Sequence, residues 1–297
     1  MFIAAHKARW GVEPICKVLP FAPATYYAMI TRRPSARARR DVQLKAAIER
    51  VWREHRQVYG ADKVWAQLNR EGIRVGRCTV ERLMRELGLR GVVRGPRKVR
   101  GLYGPSAVER PADLVNRRFH ATAPNELWVA DLTYVRTQAG WVYVAFILDV
   151  YARVIIGWQV SQTLHTELAL DALEMARWAR CSGPLSGVIH HSDRGVQYLS
   201  GSYTDRLAEA GCRASVGSRG DSYDNALAES FNGLYKTELI HRQPVWTDAA
   251  QVELATLDYV DWYNHRRLHG ALGLRPPVEV EATYHLQADY RLKVASH

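Results

Sequence analysis

Three acidic residues in the second half of the 297-residue chain have the types and settings for chemistry: Asp131 in LWVADLTYV, Asp193 in VIHHSDRGVQY and Glu229 in DNALAESFNGLYKTEL. Asp131 and Asp193 sit in or at the end of apolar, strand-like runs, and Glu229 sits in a helical pattern. A fold that brings them together creates a pocket of three carboxylates. Such groups resist joint ionisation unless cations neutralise them, and oxygen-only ligands favour Mg2+ or Mn2+ over zinc. Two such ions roughly 3.5 to 4 Å apart clamp the attacking and leaving oxygens of a phosphodiester during in-line displacement. The chemistry indicated is phosphoryl transfer on nucleic acid.

The helix carrying Glu229 has Asp224 as a good N-cap. Asn225, Glu229, Asn232 and Lys236 then follow at offsets of 4, 3 and 4 residues, along one face. Lys236, two turns beyond Glu229, is placed to hold a DNA phosphate, and Asn225 is a further candidate for DNA contact. Isolated, Glu229 and Lys236 would read as ordinary surface charges. His190 and His191 precede Asp193, and strand alternation predicts that one of them packs inside and hydrogen-bonds. Asp149 is four residues before Arg153, which suggests a local turn-stabilising pair. His265 and His269 share the i, i+4 spacing that zinc sites use, but no third ligand accompanies them. Arg266, Arg267 and His269 are therefore read as DNA contacts or as caps of the terminal helix.

The elements that must position the carboxylates follow from patterning. Strand-like runs at 127–137, 141–151 and 154–161, with short turns between them, form an antiparallel meander. A helix over 166–180, a strand at 187–192, a helix over 203–210 and a strand at 212–216 lead to the Glu229 helix. The polar, glycine-rich 217–223 segment is a loop beside it. The order βββαβαβα predicts an α/β, ribonuclease-H-like fold: a mixed five-stranded sheet flanked by helices, with the first and fourth strands as parallel neighbours.

These residues carry a family resemblance. Trp128-x-x-Asp131-x-Thr133-Tyr134, His191-x-Asp193-x-Gly195-x-Gln197-Tyr198 and Asp224-Asn225-Ala226-x-x-Glu229-Ser230 with Lys236 occur in order, with 35 residues between Asp193 and Glu229. Tyr263-Asn264-x-x-Arg267-x-His269, Leu272-Gly273 and Pro276-Pro277 add a fourth match. Over nearly its whole length the chain resembles the retroviral-integrase-like Asp-Asp-Glu transposases, most closely the second-reading-frame product (OrfB-like) of the insertion-sequence-three family.

The resemblance implies a DNA transposase that nicks an element end to release a 3′ hydroxyl and transfers that hydroxyl to a second phosphodiester. Asp131, Asp193 and Glu229 would be catalytic and hold two Mg2+ (or Mn2+) ions. Double-stranded DNA, at element ends and target, would be the partner, with a homodimer or higher assembly on it. Family members usually act fused to the first-reading-frame product. No long heptad run or separate module of that kind occurs here. Two alternatives stay open at this level: a catalytically inactive DNA-binding regulator of transposition, and a nuclease of the same fold.

Charge divides the chain. Residues 1–118 hold 26 Lys and Arg against 10 Asp and Glu, and residues 119–297 hold 15 against 20. A basic front fits contact with a polyanion, although a merely solvated arginine surface gives the same count. Residues 1–30 read as a short helical segment with helix-turn-helix-like character, and 31–40 as a basic linker. Over 41–90 three helices are expected, the first burying Val42, Leu44, Ile48, Val51 and Trp52, the second over 62–70 and the third over 78–87. A turn through Glu71-Gly72 precedes the third helix, and the whole resembles a helix-turn-helix. Its Val80, Leu83 and Leu87 face inward, leaving Arg82 and Arg85, with Arg77, as candidate DNA contacts. The 91–118 stretch is a glycine- and proline-punctuated basic connector in which Arg97 and Lys98 are further candidates. The catalytic core is assigned to 119–245 and a helical C-terminal extension to 246–297.

Cys16, Cys78, Cys181 and Cys212 show no paired spacing, which argues against a disulfide framework or zinc site and for a reducing compartment. No run of 18 apolar residues occurs, and the amino-terminal FIAAHKARWG is too short and too soon charged for a secretory signal. The expectation is a cytoplasmic protein working on the nucleoid.

Overall fold

A computed structural model describes residues 2–93, 113–115, 119–180, 185–193, 195–217 and 225–295. Most of the expected connector, with Arg97 and Lys98, falls outside these residues, as do Cys181, Asp224 and most of the 217–223 loop.

Helices α1 (Phe2–Trp10), α2 (Val12–Val18) and α3 (Pro23–Thr31) close on a small core of their own, built from Ile3, Val12, Ile15, Cys16 and Tyr26. The next helix, α4 (Ala36–Glu54), begins inside the segment read as linker, because Ser35 caps it by accepting from Ala38 N–H at 3.1 Å. Leu44, Ile48 and Val51 are buried as expected, whereas Val42 is 70% exposed. It lies about 200° around the helix from Leu44, so no single face could hold both. Helices α5 (Ala61–Arg70) and α6 (Arg77–Glu86) complete this unit, with Val64, Leu68, Val80, Leu83 and Met84 in the core. The chain then returns along α4: Val92 N–H donates to Val58 C=O and Trp52 Nε1 to Arg90 C=O. Gly91 is required there, since a Cβ would approach Gly60 N to 2.5 Å.

The sheet comprises β1 (Leu127–Thr137), β2 (Gly140–Asp149), β3 (Ile155–Ser161), β4 (Ile189–Ser192) and β5 (Arg213–Val216), in spatial order β3-β2-β1-β4-β5. β1 and β2 pair antiparallel, and β1 pairs parallel with β4, the topology expected of a ribonuclease-H-like sheet. Crossover helices α7 (Thr166–Ala179) and α8 (Gly201–Glu209) cover one face, packing on Trp128, Ala130, Ala145, Ile147 and Ile156. Gly157 lets α7 approach, because a Cβ there would meet Ala172 C=O at 2.1 Å. The other face, with Val129, Phe146 and Leu148, is covered by α9 (Ala226–Glu238) and α10 (Ala249–His265). Both faces are therefore apolar over the first half of β1, and strict alternation appears only beyond Asp131, where Thr133, Val135 and Thr137 are buried and Tyr134 and Arg136 exposed.

The α4–α6 unit docks on this core. Its apolar residues and those of α9 and α10 belong to one continuous cluster. Trp262 Nε1 donates to His55 Nδ1 at 3.3 Å, Leu268 N–H donates to Tyr59 Oη at 2.7 Å, and the His55 and Tyr59 rings stack at 4.2 Å. Arg56 pairs with Asp258, and Arg70 with Glu279 of α11 (Pro277–Ala295). No helix among the described residues is long and apolar enough to cross a membrane.

Candidate active site

The β1–β4 ladder ends on the register pair Ala130 and Ser192, so Asp131 and Asp193 are the next residues on two adjacent parallel strands. This is why two carboxylates 62 positions apart in the chain meet at one end of the sheet. Asp131 accepts from its neighbour Leu132 N–H through Oδ1 and from Asn232 Nδ2 through Oδ2, both at 2.9 Å. Asp193 Oδ1 accepts from Gly195 N–H at 2.9 Å. Glu229 sits in the first turn of α9, its N–H bonded to Asn225 C=O.

The carboxylates act on one another electrostatically. Burial, then the charges of Asp193 and Glu229, push Asp131 well above the ordinary carboxylate range, against the pull of Leu132 N–H and Asn232. Asp193, although it is exposed to solvent, is raised too, chiefly by desolvation from neighbouring protein atoms, with Gly195 N–H and His191 opposing. Among the described residues no three of His, Cys, Asp and Glu are spaced to hold an ion together. The donor chemistry nevertheless suits a hard divalent cation: the three carboxylates offer only oxygens, and a cation would relieve the repulsion that raises Asp131.

The polar stripe of α9 runs along β1. Asn225 is buried and donates through Nδ2 to Ala130 C=O at 2.9 Å, so its amide nitrogen ties α9 to the sheet. Asn232 bonds Asp131, and Lys236 Nζ lies 4.3 Å from the centroid of the Tyr134 ring. Burial lowers the Lys236 pKa, and Asp131 opposes that shift, an interaction that puts this ammonium within electrostatic reach of the carboxylates. The Oδ1 atoms of Asn225 and Asn232 are buried and lack a partner among the described residues.

Other sequence-level candidates fall elsewhere. His190 and His191 are both buried, not one of the two, because both sheet faces are covered at β4. His190 Nε2 meets Tyr203 Oη at 3.0 Å, and burial pushes its pKa down to about 4. His191 Nδ1 meets Ser215 Oγ at 2.9 Å. Asp149 pairs with Arg180 at 3.6 Å, not with Arg153, and accepts from Asn125 and Tyr151 N–H groups. Burial pushes its carboxyl up to about 6.

Arg267 and His269 point inward. Arg267 makes a buried bidentate bridge to Glu238 at 2.8 and 2.5 Å, and its Nη1 lies 3.1 Å from His269 Nδ1. Burial and the Arg267 charge push His269 down to about 2. Exposed His265 and Arg266 both meet Asp261.

On α6, Arg82 Nη2 donates to both carboxylate oxygens of Asp41 at 3.0 and 2.9 Å and its Nη1 bridges Glu86, while Arg77 pairs with Asp62 and Glu81. Arg85 is more exposed, and among the described residues it meets a carboxylate only at 3.5 Å, on Glu81. Periodicity identified the outward face of α6 but gave no sign that its charges are offset within the domain.

The five-stranded sheet with its flanking helices has the architecture of an integrase-type core, behind a helix-turn-helix-like unit. Integrase core domain models match residues 121–222 and 210–277, and an HTH-like domain model matches residues 39–97. The chain is 56% identical to the transposase for insertion sequence element IS629 of Shigella sonnei over 284 residues, 94% of each chain. It is 32% identical to transposase InsF for insertion sequence IS3A of Escherichia coli (strain K12), over 95% of this chain and 97% of that one. Among solved structures, the HTLV-2 integrase catalytic core domain in complex with magnesium matches at 14% identity and TM-score 0.43, over 55% of this chain and 99% of that one. The chain belongs to the transposases of IS3-family insertion sequences.

Proposed function

We propose that this chain cuts DNA at the ends of an insertion element and transfers the freed 3′ hydroxyl to a second phosphodiester. The observation that carries the reading is the β1–β4 register, which ends one residue before Asp131 and Asp193 together, with Glu229 near enough to raise Asp131.

Asp131 and Asp193 from adjacent strands and Glu229 from α9 are the residues that would hold Mg2+ or Mn2+, two ions per site. When bound, the ions would neutralise charge developing on the phosphate and polarise the attacking water or hydroxyl. Asn232 and Leu132 N–H fix the rotamer of Asp131. Lys236, carried on the same helix as Glu229, supplies positive charge for a phosphate next to the reacting one. Arg85 is the α6 arginine with the weakest internal pairing, and Arg32, Arg33, Arg37, Arg39 and Arg40 make no ion pair among the described residues. These cations of the front half are available to contact the backbone of duplex DNA. Because two ends must be joined and each chain offers one carboxylate cluster, the active form is at least a dimer on DNA.

The test replaces each carboxylate. Asp131→Asn, Asp193→Asn and Glu229→Gln should each abolish nicking and joining of element-end DNA while duplex affinity stays within about twofold, since the basic front is untouched. Near wild-type cleavage by any one of them would overturn the assignment. Chelation should stop the reaction and Mn2+ should restore it.

A further inference from the structure

Beyond Asp131 the sheet face that α7 covers elsewhere is open, and it presents Tyr134, 49% exposed, and Trp141, 46% exposed. The two rings meet edge to face at 5.3 Å. Each carries a cation: Arg136 lies 5.2 Å from the Trp141 ring and Lys236 lies 4.3 Å from the Tyr134 ring. Cross-strand pairing of Arg136 with Trp141, and of Tyr134 with Tyr143, puts these residues on one side of the β1–β2 hairpin.

A single exposed aromatic residue needs no explanation. Here two rings are held in a fixed mutual geometry, and Arg136 forms no ion pair among the described residues. Rings that can stack on bases, interleaved with cations that can meet phosphates, are the chemistry of single-strand nucleic-acid binding. A fully paired duplex keeps its bases stacked on one another and offers an aromatic ring no free base face. The row also leads to the carboxylates, because Lys236 lies against Tyr134 at one end and interacts with Asp131.

We propose that Tyr134, Arg136 and Trp141 form a stacking platform for unpaired DNA bases next to the cut. This rests on the reading that the chain acts on DNA. The platform would favour a frayed element end over a closed duplex, and would hold the strand leaving the carboxylates without reading its sequence.

The experiment compares labelled oligothymidine with a blunt hairpin duplex, using the full chain. Trp141→Ala and Tyr134→Ala should each weaken oligothymidine binding on the order of tenfold, the loss expected for one base stack, and change duplex affinity less than about twofold. Trp141→Phe should keep most of the single-strand affinity. Photocrosslinking from 5-iodouracil strands should map to Tyr134 or Trp141. The proposal fails if both alanine variants bind oligothymidine like the wild type, if both probes are weakened equally, or if the crosslinks map elsewhere. A wild-type chain that binds neither probe would sink the DNA reading itself. One that binds both, alongside unaffected variants, would sink only the platform.

Discussion

Asn232 donates its side-chain N–H to Asp131 Oδ2 over 2.9 Å, linking the helix that carries Glu229 to the strand that carries the first aspartate. The bond lowers the Asp131 pKa against burial and the charges of Asp193 and Glu229. Removing it in Asn232→Ala should loosen the Asp131 rotamer and raise its pKa further. Strand cleavage is expected to fall about 10- to 100-fold, the usual loss when a supporting hydrogen bond to a ligand is removed. Its pH profile should also move to higher pH. Asn232→Asp, which replaces the donor with another negative charge, should be worse. A cleavage pH profile identical to wild type in both variants would leave Asn232 without a positioning role.

Asp131 also makes the site sensitive to cations. Its folded pKa is raised, so its charge costs stability once the pH exceeds the unfolded value, and that cost is complete above the folded value. Asp131→Asn should therefore raise the metal-free Tm at neutral pH, with the gain shrinking on acidification. Mg2+ or Mn2+ should raise the wild-type Tm by binding only the folded state. Equal Mg2+-induced shifts in wild type and Asp131→Asn, by calorimetry, would remove Asp131 from the ligand set.

Acid should destabilise the chain through buried neutral histidines. Burial, with help from the Arg266 charge, lowers His55 to about 4, while His190 falls to about 4 and His269 to about 2. Each binds its proton more readily when unfolded, so stability is full above about 6.5 and falls as pH drops towards about 4. His55 accepts from Trp262, so its protonation also breaks the seam between α4 and α10. Tm measured from pH 7 to pH 4.5 should fall, and His55→Gln should flatten the slope. An unchanged slope would place the acid sensitivity at the other two histidines.

The buried Glu238–Arg267 bridge, which Tyr259 Oη also joins, should be costly to break from one side. Glu238→Ala or Arg267→Ala is expected to lose about 3–5 kcal/mol in urea unfolding, because each leaves a buried charge unpaired. Glu238→Met with Arg267→Met should lose less than either single change. Additive losses in the double variant would contradict this account.

The arginines of α6 should separate by their internal partners. Arg82→Ala should reduce stability and leave the salt dependence of duplex binding unchanged, since Asp41 and Glu86 already occupy its guanidinium. Arg85→Ala should flatten log K against log salt by about one unit if it meets a phosphate. The reverse pattern would mean that α6 turns its Asp41-facing side to DNA.

Asp131, Asp193 and Glu229 stand out as a candidate set because their motif order and spacing can be read in one dimension. The strand order was legible too, because the element order βββαβαβα is that of the ribonuclease-H-like fold, in which the first and fourth strands are parallel neighbours. The α9 stripe could be read from its 4, 3, 4 spacing, although periodicity could not say that Asn225 and Asn232 turn their amide nitrogens to Ala130 and Asp131 rather than to DNA. Val42, about 200° around the helix from Leu44, could not share its buried face, which helix geometry alone already dictated.

By itself, the sequence determined the three carboxylates proposed as catalytic, the topology of the sheet and the basic character of the front, since each depends on local pattern or on composition. Only the tertiary structure decided which charges stay available. Arg82 and Arg77 find carboxylates on their own domain, Arg267 and His269 turn into the core, and His55, Tyr59 and Trp262 fasten the front unit to α10. The partners in the Arg82 bridge are 41 residues apart and those in the His55–Trp262 contact 207. A side chain's Coulombic and hydrogen-bonding partners are set by distance in space, which residue order encodes only through the completed fold.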